Sequence, residues 1–378
     1  MKQQTQINKI EWREVKFLDS IREEASNNKL KLKGKEFLTE GKYPIIDQGE
    51  KYIAGYTNDK NKIYNKILPV IIFGDHTRIL KFINFPFALG ADGVKILVSN
   101  ENVSSKYLFY AIRSLKLENL GYSRHYKLLK NKKIPLPFSN NQPDIAEQER
   151  IVSILEKAEK QKERCKKAEE LLDEYLKSVF NEMFYNKGFE EKRLGEICKI
   201  VSGSTPSTSK SEYWNGEINW VTPAELIDGH TFYYFESQRK ITEEGLKSCS
   251  AEIFPEGTVL LTSRAPIGKL AISGNKMCSN QGFKNLIPLE KINSIYLYFW
   301  LLQKKQYLNS LGNGATFKEI SKKIVSNILI PLPPLPLQQK FANIVEQVEK
   351  MKEKIKKNKL ASEELFNSLM QKAFRGEL

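Results

Sequence analysis

The chain has 378 residues, 40% hydrophobic and 28% charged, as is typical of globular proteins with two or three domains. No run of 18 apolar residues occurs and the first residues lack the apolar core of a signal peptide, so we expect a cytoplasmic protein without a membrane span. The net charge of +15 indicates either a polyanionic partner such as nucleic acid or a lysine-rich solvated surface.

The four cysteines and three histidines do not suggest a metal or redox site. Cys165, Cys198, Cys249 and Cys278 form no CxxC pair, and the histidines are far apart in the sequence. We therefore predict that the four thiols are packing residues and that no metal is bound.

The segment 1–143 is predicted to be a β-rich globule. Short β-branched and aromatic runs predict strands at 43–46, 66–73 and 94–98, followed by a helix at 106–117. Lys29, Lys31, Lys33 and Lys35 alternate as they would along a strand, which fits a solvated strand face or a row of phosphate contacts.

A long helix is predicted after this globule and again at the end of the chain. Asp144 and Glu147 have capping-box spacing, and Pro336 fits the first turn of the second helix. Apolar residues then recur at alternating spacings of four and three, the pattern of a two-helix seam. The seam residues are Ile151, Leu155, Leu172, Leu176 and Val179, then Phe341, Val345, Val348, Ile355, Phe366 and Leu369.

Lys162 and Lys352 fall at equivalent seam positions. A polar seam residue can fix the register of two helices, or its apolar stem can pass beside the seam while the charge stays in water.

The second globule, from residue 187 to 334, repeats the plan of the first. Its strand is predicted at 259–262, which we align with 70–73, and its helix at 295–308. Gly93 and Lys95 match Gly282 and Lys284. The segment Ile134-Pro135-Leu136-Pro137 matches Ile330-Pro331-Leu332-Pro333, and Gln148 matches Gln338. Later anchors, such as Phe180 against Phe374, predict that the offset grows by four residues.

The sequence therefore predicts an α+β protein with two similar globules and two long helices. The helices form either an antiparallel coiled coil between the globules or two separate hairpins, each against its own globule.

Several ordered segments resemble the specificity (S) subunit of type I restriction-modification enzymes. In the second half they are Gly203-Ser204-Thr205-Pro206, Tyr213-Trp214, Trp220-Val221-Thr222-Pro223, Ser263-Arg264-Ala265-Pro266-Ile267-Gly268-Lys269, Asn280-Gln281-Gly282 and the segment from Ile330 to Pro334. In the first half, Tyr43-Pro44-Ile45-Ile46-Asp47 and Phe73-Gly74-Asp75-His76-Thr77-Arg78 look like a second variant of the same domain. The resemblance covers essentially the whole chain.

This resemblance implies two target-recognition domains, 1–143 and 187–334, and two spacer helices, 144–186 and 335–378. The domains would read the halves of a bipartite, asymmetric site in double-stranded DNA, and the helices would set the gap. Two methyltransferase subunits would dock on the helices, and translocating restriction subunits can join. S-adenosylmethionine and ATP would bind these partners, with no cofactor in this chain. Because Asp75-His76 stands where the second domain has Arg264-Ala265, the half-sites should differ.

Polar and cationic loops of the globules are the candidate DNA contacts. Gly121–Lys127 interleaves aromatic and cationic residues, and we align it with Gly312–Lys318. The candidates are His76, Thr77, Arg78, Tyr122, Ser123, Arg124, His125, Lys127, Ser204, Thr205, Thr208, Tyr213, Asn215, Ser263, Arg264, Thr316 and Lys318. Arg78 and Arg264 fit a local ion pair or carbonyl contact equally well, and His125 fits a packed or surface imidazole.

No catalytic motif is apparent in the sequence. The only Pro-Pro pair, Pro333-Pro334, lies next to leucine and not in the Asn/Asp-Pro-Pro-aromatic motif of a DNA methyltransferase, and no phosphate loop is present. Glu190 and Lys192 match only a fragment of a nuclease site. We expect a non-catalytic DNA-binding subunit, with a self-contained enzyme and a scaffold that does not bind DNA as the alternatives.

Overall fold

The computed structural model describes residues 10–24, 31–90, 93–121, 123–227, 232–264, 266–312 and 318–378. The chain forms two compact units, the first made of Met1–Lys167 with Lys356–Leu378 and the second of Ala168–Ile355. Two long helices, α3 (Ile145–Phe184) and α9 (Leu335–Ala373), each contribute one half to each unit. A unit is therefore a globule together with two half-helices, and its boundaries cut across the predicted division into globules and helices.

In the described residues of the first unit, the globule contains three small sheets and two short α-helices. Their orders are β1-β11-β12, β2-β10-β7-β8 and β3-β9-β4-β5, with β6 paired to β9. The strands are β1 (Glu11–Lys16), β2 (Ile21–Glu24), β3 (Lys31–Leu32), β4 (Tyr43–Ile46), β5 (Gly55–Thr57), β6 (Ile63–Tyr64), β7 (Val70–Gly74), β8 (Leu80–Ile83), β9 (Phe87–Gly90), β10 (Val94–Ser99), β11 (Lys133–Ser139) and β12 (Gln142–Pro143), and the helices are α1 (Ser105–Ser114) and α2 (Tyr126–Lys130).

The globule of the second unit is built similarly. Its sheets have the orders β13-β22, β14-β21-β18-β19-β16 and β17-β15-β20. The strands are β13 (Glu191–Arg193), β14 (Cys198–Ser202), β15 (Trp214–Val221), β16 (Tyr233–Tyr234), β17 (Lys240–Ile241), β18 (Val259–Thr262), β19 (Leu270–Ser273), β20 (Cys278–Ser279), β21 (Phe283–Pro288) and β22 (Leu329–Pro331), and the helices are α4 (Leu194–Ile197), α5 (Glu243–Lys247), α6 (Ser294–Gln303), α7 (Lys305–Ser310) and α8 (Lys322–Ser326).

The central sheets of the two units share one topology. The order β2-β10-β7-β8 in the first unit recurs as β14-β21-β18-β19 in the second, and all these neighbours are antiparallel. Strands β7 and β18 are buried along their whole length, which explains their continuous apolar sequence. The duplication predicted from the sequence is present in the fold.

The two Ile-Pro-Leu-Pro segments occupy equivalent places. The Ile-Pro part of each segment lies in a strand that pairs antiparallel with the first strand of its unit, β11 with β1 and β22 with β13. The buried Tyr107 hydroxyl donates to the carbonyl of Pro135 at 2.7 Å, and the buried Tyr296 hydroxyl donates to that of Pro331 at 2.6 Å. Strand β22 belongs to a two-stranded sheet and so has a free edge, where the missing N–H of proline is tolerated.

Within each unit the two half-helices pack against each other and against the globule. In the first unit Ile151 and Leu155 share one core with Phe366 and with Tyr107 of the globule. The second unit has an equivalent core that contains the predicted seam residues Leu176, Phe341, Val345 and Val348. Leu172, Val179 and Leu369 are partly buried at the edges of these cores, and Ile355 is partly buried.

The spacing between equivalent helix positions stays constant. Leu176 and Phe366, and Phe180 and Met370, are buried pairs with the same separation in the sequence as Ile151 and Phe341. The predicted growth of the offset by four residues is therefore wrong. The error arose because Phe180 was matched by residue type to a later phenylalanine, Phe374. Burial shows instead that Phe180 is equivalent to Met370.

Each long helix is joined to its globule by a buried glutamine. Gln148 accepts from the Ser104 amide at 2.9 Å and donates to the Asn102 carbonyl at 3.3 Å. Gln338 accepts from the Asn293 amide at 2.8 Å and donates to two carbonyls, those of Lys291 and Pro333. Asp144 caps α3 by accepting from the Glu147 amide, as predicted.

Three local predictions are corrected. Residues 66–69 are not part of the strand that begins at Val70, and the predicted helix at 295–308 is broken into α6 and α7. The alternating lysines do not form one strand face, because β3 contains only Lys31 and Leu32 and Lys35 lies in a 3-10 turn; Lys29 lies outside the described residues. In the described part of the chain, no helix is long and apolar enough to cross a membrane.

Candidate nucleic-acid interface

The first candidate cluster is the turn between β7 and β8. Asp75 is buried and Thr77 is exposed, with the Thr77 hydroxyl donating to the Gln48 carbonyl at 2.7 Å. Arg78 adopts a positive φ of 63°, and its guanidinium donates to the Leu117 carbonyl at 3.0 Å. This bond is the carbonyl contact that the sequence left open for Arg78, and the half-buried His76 lies between these residues.

The second unit has an equivalent turn between β18 and β19, and it corrects the residue alignment. The Asp75 amide donates to the Gly93 carbonyl at 2.7 Å, and the Ser263 amide donates to the Gly282 carbonyl at 2.7 Å. Asp75 therefore corresponds to Ser263, and not to Arg264 as predicted. By the same register His76 corresponds to Arg264, so the alignment of 70–73 with 259–262 was wrong by one residue.

A positive-φ residue closes both turns. The Arg78 amide donates to the carbonyl of Gly74, and the Gly268 amide donates to that of Thr262. The φ angles are 63° for Arg78 and 89° for Gly268, a region that glycine adopts without strain. An arginine thus occupies, in the first unit, a backbone position that favours glycine.

The segment Gly121–Lys127 lies beside the first turn, but His125 is not an available contact. Its side chain is fully buried: Nε2 accepts from the Leu120 amide at 3.0 Å, and Nδ1 lies 3.1 Å from the Asp75 carbonyl. This bonding makes His125 a packed imidazole, which corrects its prediction as a DNA contact. The His125 backbone amide donates to the Asp75 carbonyl at 2.7 Å, and in the second unit the amide of Ile320 donates to the Ser263 carbonyl at 2.9 Å. The predicted match of His125 to Thr316 therefore fails.

The remaining candidates of this segment lie at the surface. Arg124 and Lys127 are exposed and Ser123 is half-buried, whereas Tyr122 lies outside the described residues. Asp75 links this segment to the first turn, because its carboxylate accepts from the Tyr126 amide at 2.8 Å. The first unit thus brings 75–78 and 123–127 together.

In the second unit, Ser263 and Arg264 differ in accessibility. Ser263 is fully buried and its hydroxyl lies 3.2 Å from the Lys284 ammonium, so its side chain cannot reach DNA in this conformation, contrary to the prediction. Arg264 is half-exposed and pairs with Glu319 at 3.0 Å, the local ion pair that the sequence left open. Lys318 is exposed next to this pair, and Thr316 lies outside the described residues.

The polar loop that follows β14 is held by contacts with residues 279–281. The Ser204 amide donates to the Ser279 carbonyl at 2.9 Å, and the Thr205 hydroxyl donates to Gln281. Gly203 has no room for a side chain, since a Cβ atom would lie 1.9 Å from the Asn280 carbonyl oxygen. Farther along the loop Thr208 and Asn215 are exposed and Tyr213 is half-buried, as a contact surface requires.

Comparison with known proteins decides the family. A family described as type I restriction modification DNA specificity domain matches residues 10–172 and 186–363. The chain belongs to this family. A type I restriction enzyme MjaIX specificity subunit of Methanocaldococcus jannaschii is 41% identical over 45% of this chain, a match that spans 40% of that relative's length. The EcoR124I/EcoR124II specificity subunit of Escherichia coli is 29% identical over 84% of this chain and 82% of its own.

Solved structures share the fold of this specificity chain. A type I restriction-modification S subunit from M. genitalium has a TM-score of 0.60 at 17% identity, covering 99% of this chain and 98% of its own. A chain from a study of complex assembly and conformational transition in a type I system has a TM-score of 0.59 at 18% identity, covering 97% and 98%. At such identity the likeness concerns the fold.

The described residues of the specificity chain contain no group of three His, Cys, Asp or Glu side chains that could hold a metal ion. Glu190 and Lys192, the fragment of a nuclease motif, pair with each other at the surface. The cysteines are free, and burial raises the pKa of both Cys198 and Cys278 to about 12, as expected for packing thiols.

Two tryptophans and an arginine beside the polar loop were not among the site residues predicted from the sequence. Trp214 and Trp220 lie under the polar loop, where their indole N–H groups donate to the carbonyls of Ser207 at 3.1 Å and Ser204 at 2.9 Å. Arg239 covers Trp214 with its guanidinium 3.7 Å from the ring centre. The tryptophans were noted only as family segments, and nothing in the sequence around Arg239 distinguishes it from other cations.

Proposed function

We propose that the chain reads a bipartite, asymmetric DNA site, one half with each globule. The observation that carries this proposal is the duplicated turn at the end of the central sheet. The backbone hydrogen bonds of the two turns are equivalent, whereas the accessible side chains differ: the half-buried His76 in one turn and the exposed Arg264 in the other. A shared scaffold with different side chains suits two half-sites of different sequence.

We further propose that α3 and α9 pair as an antiparallel coiled coil that sets the gap between the half-sites. Lys162 pairs with Glu363 at 3.0 Å in the first unit, and Lys352 pairs with Asp173 at 2.6 Å in the second. Asp173 follows Lys162 along α3 by the same number of residues by which Lys352 precedes Glu363 along α9. One uninterrupted antiparallel register accounts for both pairs, which supports the spacer.

The partners in this proposal are two methyltransferase subunits, with restriction subunits in the complete assembly. A duplicated chain offers equivalent surfaces twice, which suits two copies of one partner. In this proposal the chain is not catalytic and acts in the cytoplasm on double-stranded DNA. The methyltransferase subunits supply S-adenosylmethionine chemistry at adenine, and the restriction subunits use ATP.

The direct test is to purify the full chain with and without a separate adenine methyltransferase subunit of a type I system. We expect a stable complex that methylates duplexes with one split site, with a steep salt dependence of DNA binding. Methylation or cleavage by the chain alone would instead identify a self-contained enzyme. A chain that binds proteins but shows no preferred DNA site would be a scaffold, and either result would overturn the proposal.

A further inference from the structure

Arg239 is an exposed arginine with a fixed side-chain plane. It lies between β16 and β17 in the second unit, with its guanidinium 3.7 Å from the ring centre of Trp214 and 5.4 Å from that of Trp220. The two indoles pack edge to face with centres 5.0 Å apart, and both are buried. Because the rings are fixed in a core, the guanidinium stacked on them is fixed as well.

The guanidinium of Arg239 keeps its hydrogen-bond donors for a ligand. Across the described residues, no hydrogen bond or ion pair of this guanidinium is found, and the side chain is exposed. Other arginines stacked on rings are already engaged: Arg13 pairs with Glu11, and Arg113 pairs with Glu159. The candidate contacts Arg78 and Arg264 are also bonded within the chain.

The same tryptophans connect Arg239 to the polar loop. Trp214 and Trp220 donate to the loop carbonyls of Ser207 and Ser204, and the Trp220 amide donates to the Arg239 carbonyl at 3.2 Å. The loop and the arginine are therefore attached to one pair of rings. A polar loop and an oriented cation on a common support form a surface suited to a DNA groove.

We propose that Arg239 is a specificity-determining residue that reads a guanine in the half-site of the second unit. A guanidinium can donate two parallel hydrogen bonds to O6 and N7 of guanine in the major groove. Such a bidentate contact needs a fixed side-chain plane, which the stack on Trp214 provides. A phosphate contact carries no sequence information, and the exposed lysines of the chain can supply such contacts as point charges. This inference rests on the proposed function and assigns one base contact within it.

The test uses the full chain with its methyltransferase subunit and a set of duplexes in which each base pair of the site is changed singly. The variants are Arg239→Ala, Arg239→Lys, and Lys276→Ala as a control that removes an exposed cation from the same unit. We expect both Arg239 variants to methylate the cognate duplex about 10- to 100-fold more slowly and to lose discrimination at one G·C pair. The control should retain wild-type rate and specificity.

Three results would overturn the assignment. Rescue by Arg239→Lys, with a uniform loss across all duplexes for Arg239→Ala, would identify a phosphate contact. Unchanged discrimination in both variants would exclude a base contact, and so would a second half-site without a G·C pair. Failure of the proposed function is a separate result, because the wild-type complex would then prefer no duplex. Arg239→Lys preserves the stacked cation and tests base reading even if Arg239→Ala is unstable.

Discussion

The ammonium group of Lys352 lies 2.6 Å from the carboxylate of Asp173, so an ion pair joins α9 to α3 at a partly buried seam position. Burial lowers the pKa of Lys352, but the hydrogen bonds to Asp173 and Glu349 outweigh burial and raise it above the usual 10.5. Lys162 and Glu363 form the corresponding pair in the first unit. A seam that carries a lysine at the same place twice is suited to fixing the register of the helices.

Replacement of Asp173 by alanine should lower the free energy of unfolding by roughly 0.5–1 kcal/mol at low salt and by less at 1 M salt, because exposed pairs are screened. Urea unfolding of the full chain measures this. Glu174→Ala, which removes the next, exposed carboxylate of α3, is the control and should have no such effect. An equal loss in both variants would contradict a specific pair.

The same pair predicts a pH dependence. Since the pKa of Lys352 is raised in the folded state, its contribution is present below the ordinary value of 10.5 and is lost as the pH rises through the raised value. The stability difference between wild type and Asp173→Ala should therefore persist at pH 9 and shrink in more alkaline solution. A difference that grows with alkaline pH would have the wrong sign.

Gln148→Leu should destabilise the chain by roughly 1–3 kcal/mol, because it removes a buried side chain and leaves the partly buried amide of Ser104 without its acceptor. Gln338→Leu should have the same effect through Asn293. Gln161→Leu is the matched control, since Gln161 is exposed on α3. If all three variants unfolded at the same denaturant concentration, the buried glutamines would not be what joins helix and globule.

Substitutions at Arg78 test whether its positive φ strains the turn between β7 and β8. Arg78→Gly should be more stable than Arg78→Ala by about 1 kcal/mol, because both lose the bond to Leu117 but only glycine relieves the positive φ. Thermal unfolding measures this order. Equal stability would show that φ is not strained there.

The sequence predicted the duplication, both long helices and buried positions along them such as Ile151 and Phe341, because repeated motifs and heptad spacing are visible in the sequence itself. The sequence could not determine which residue of β7 is equivalent to which residue of β18. A strand that is buried on both faces shows no alternation of apolar and polar residues, and this led to the error that matched Asp75 to Arg264. The sequence could not separate the buried His125 from the exposed Arg124, since both lie in one polar segment. Arg239 was missed because it is distinguished from other cations only by its contact with Trp214. The two residues are distant in the sequence and come into contact only in the folded chain.

The spacer has its own prediction. Insertion of four residues into both α3 and α9 at the boundary between the units should change the gap of the methylated site and leave both half-sites intact. The same insertion in α3 alone should disrupt the pairing of the helices and abolish methylation. A changed half-site sequence would contradict a spacer role.

The most direct measurement is a genome-wide map of methylated adenines in cells that carry this chain with residues 1–143 exchanged for those of a relative with a different site. The account predicts that one half-site changes to that of the relative, while the other half-site and the gap stay as in the wild type. A map in which both half-sites change together, or in which neither does, would contradict it.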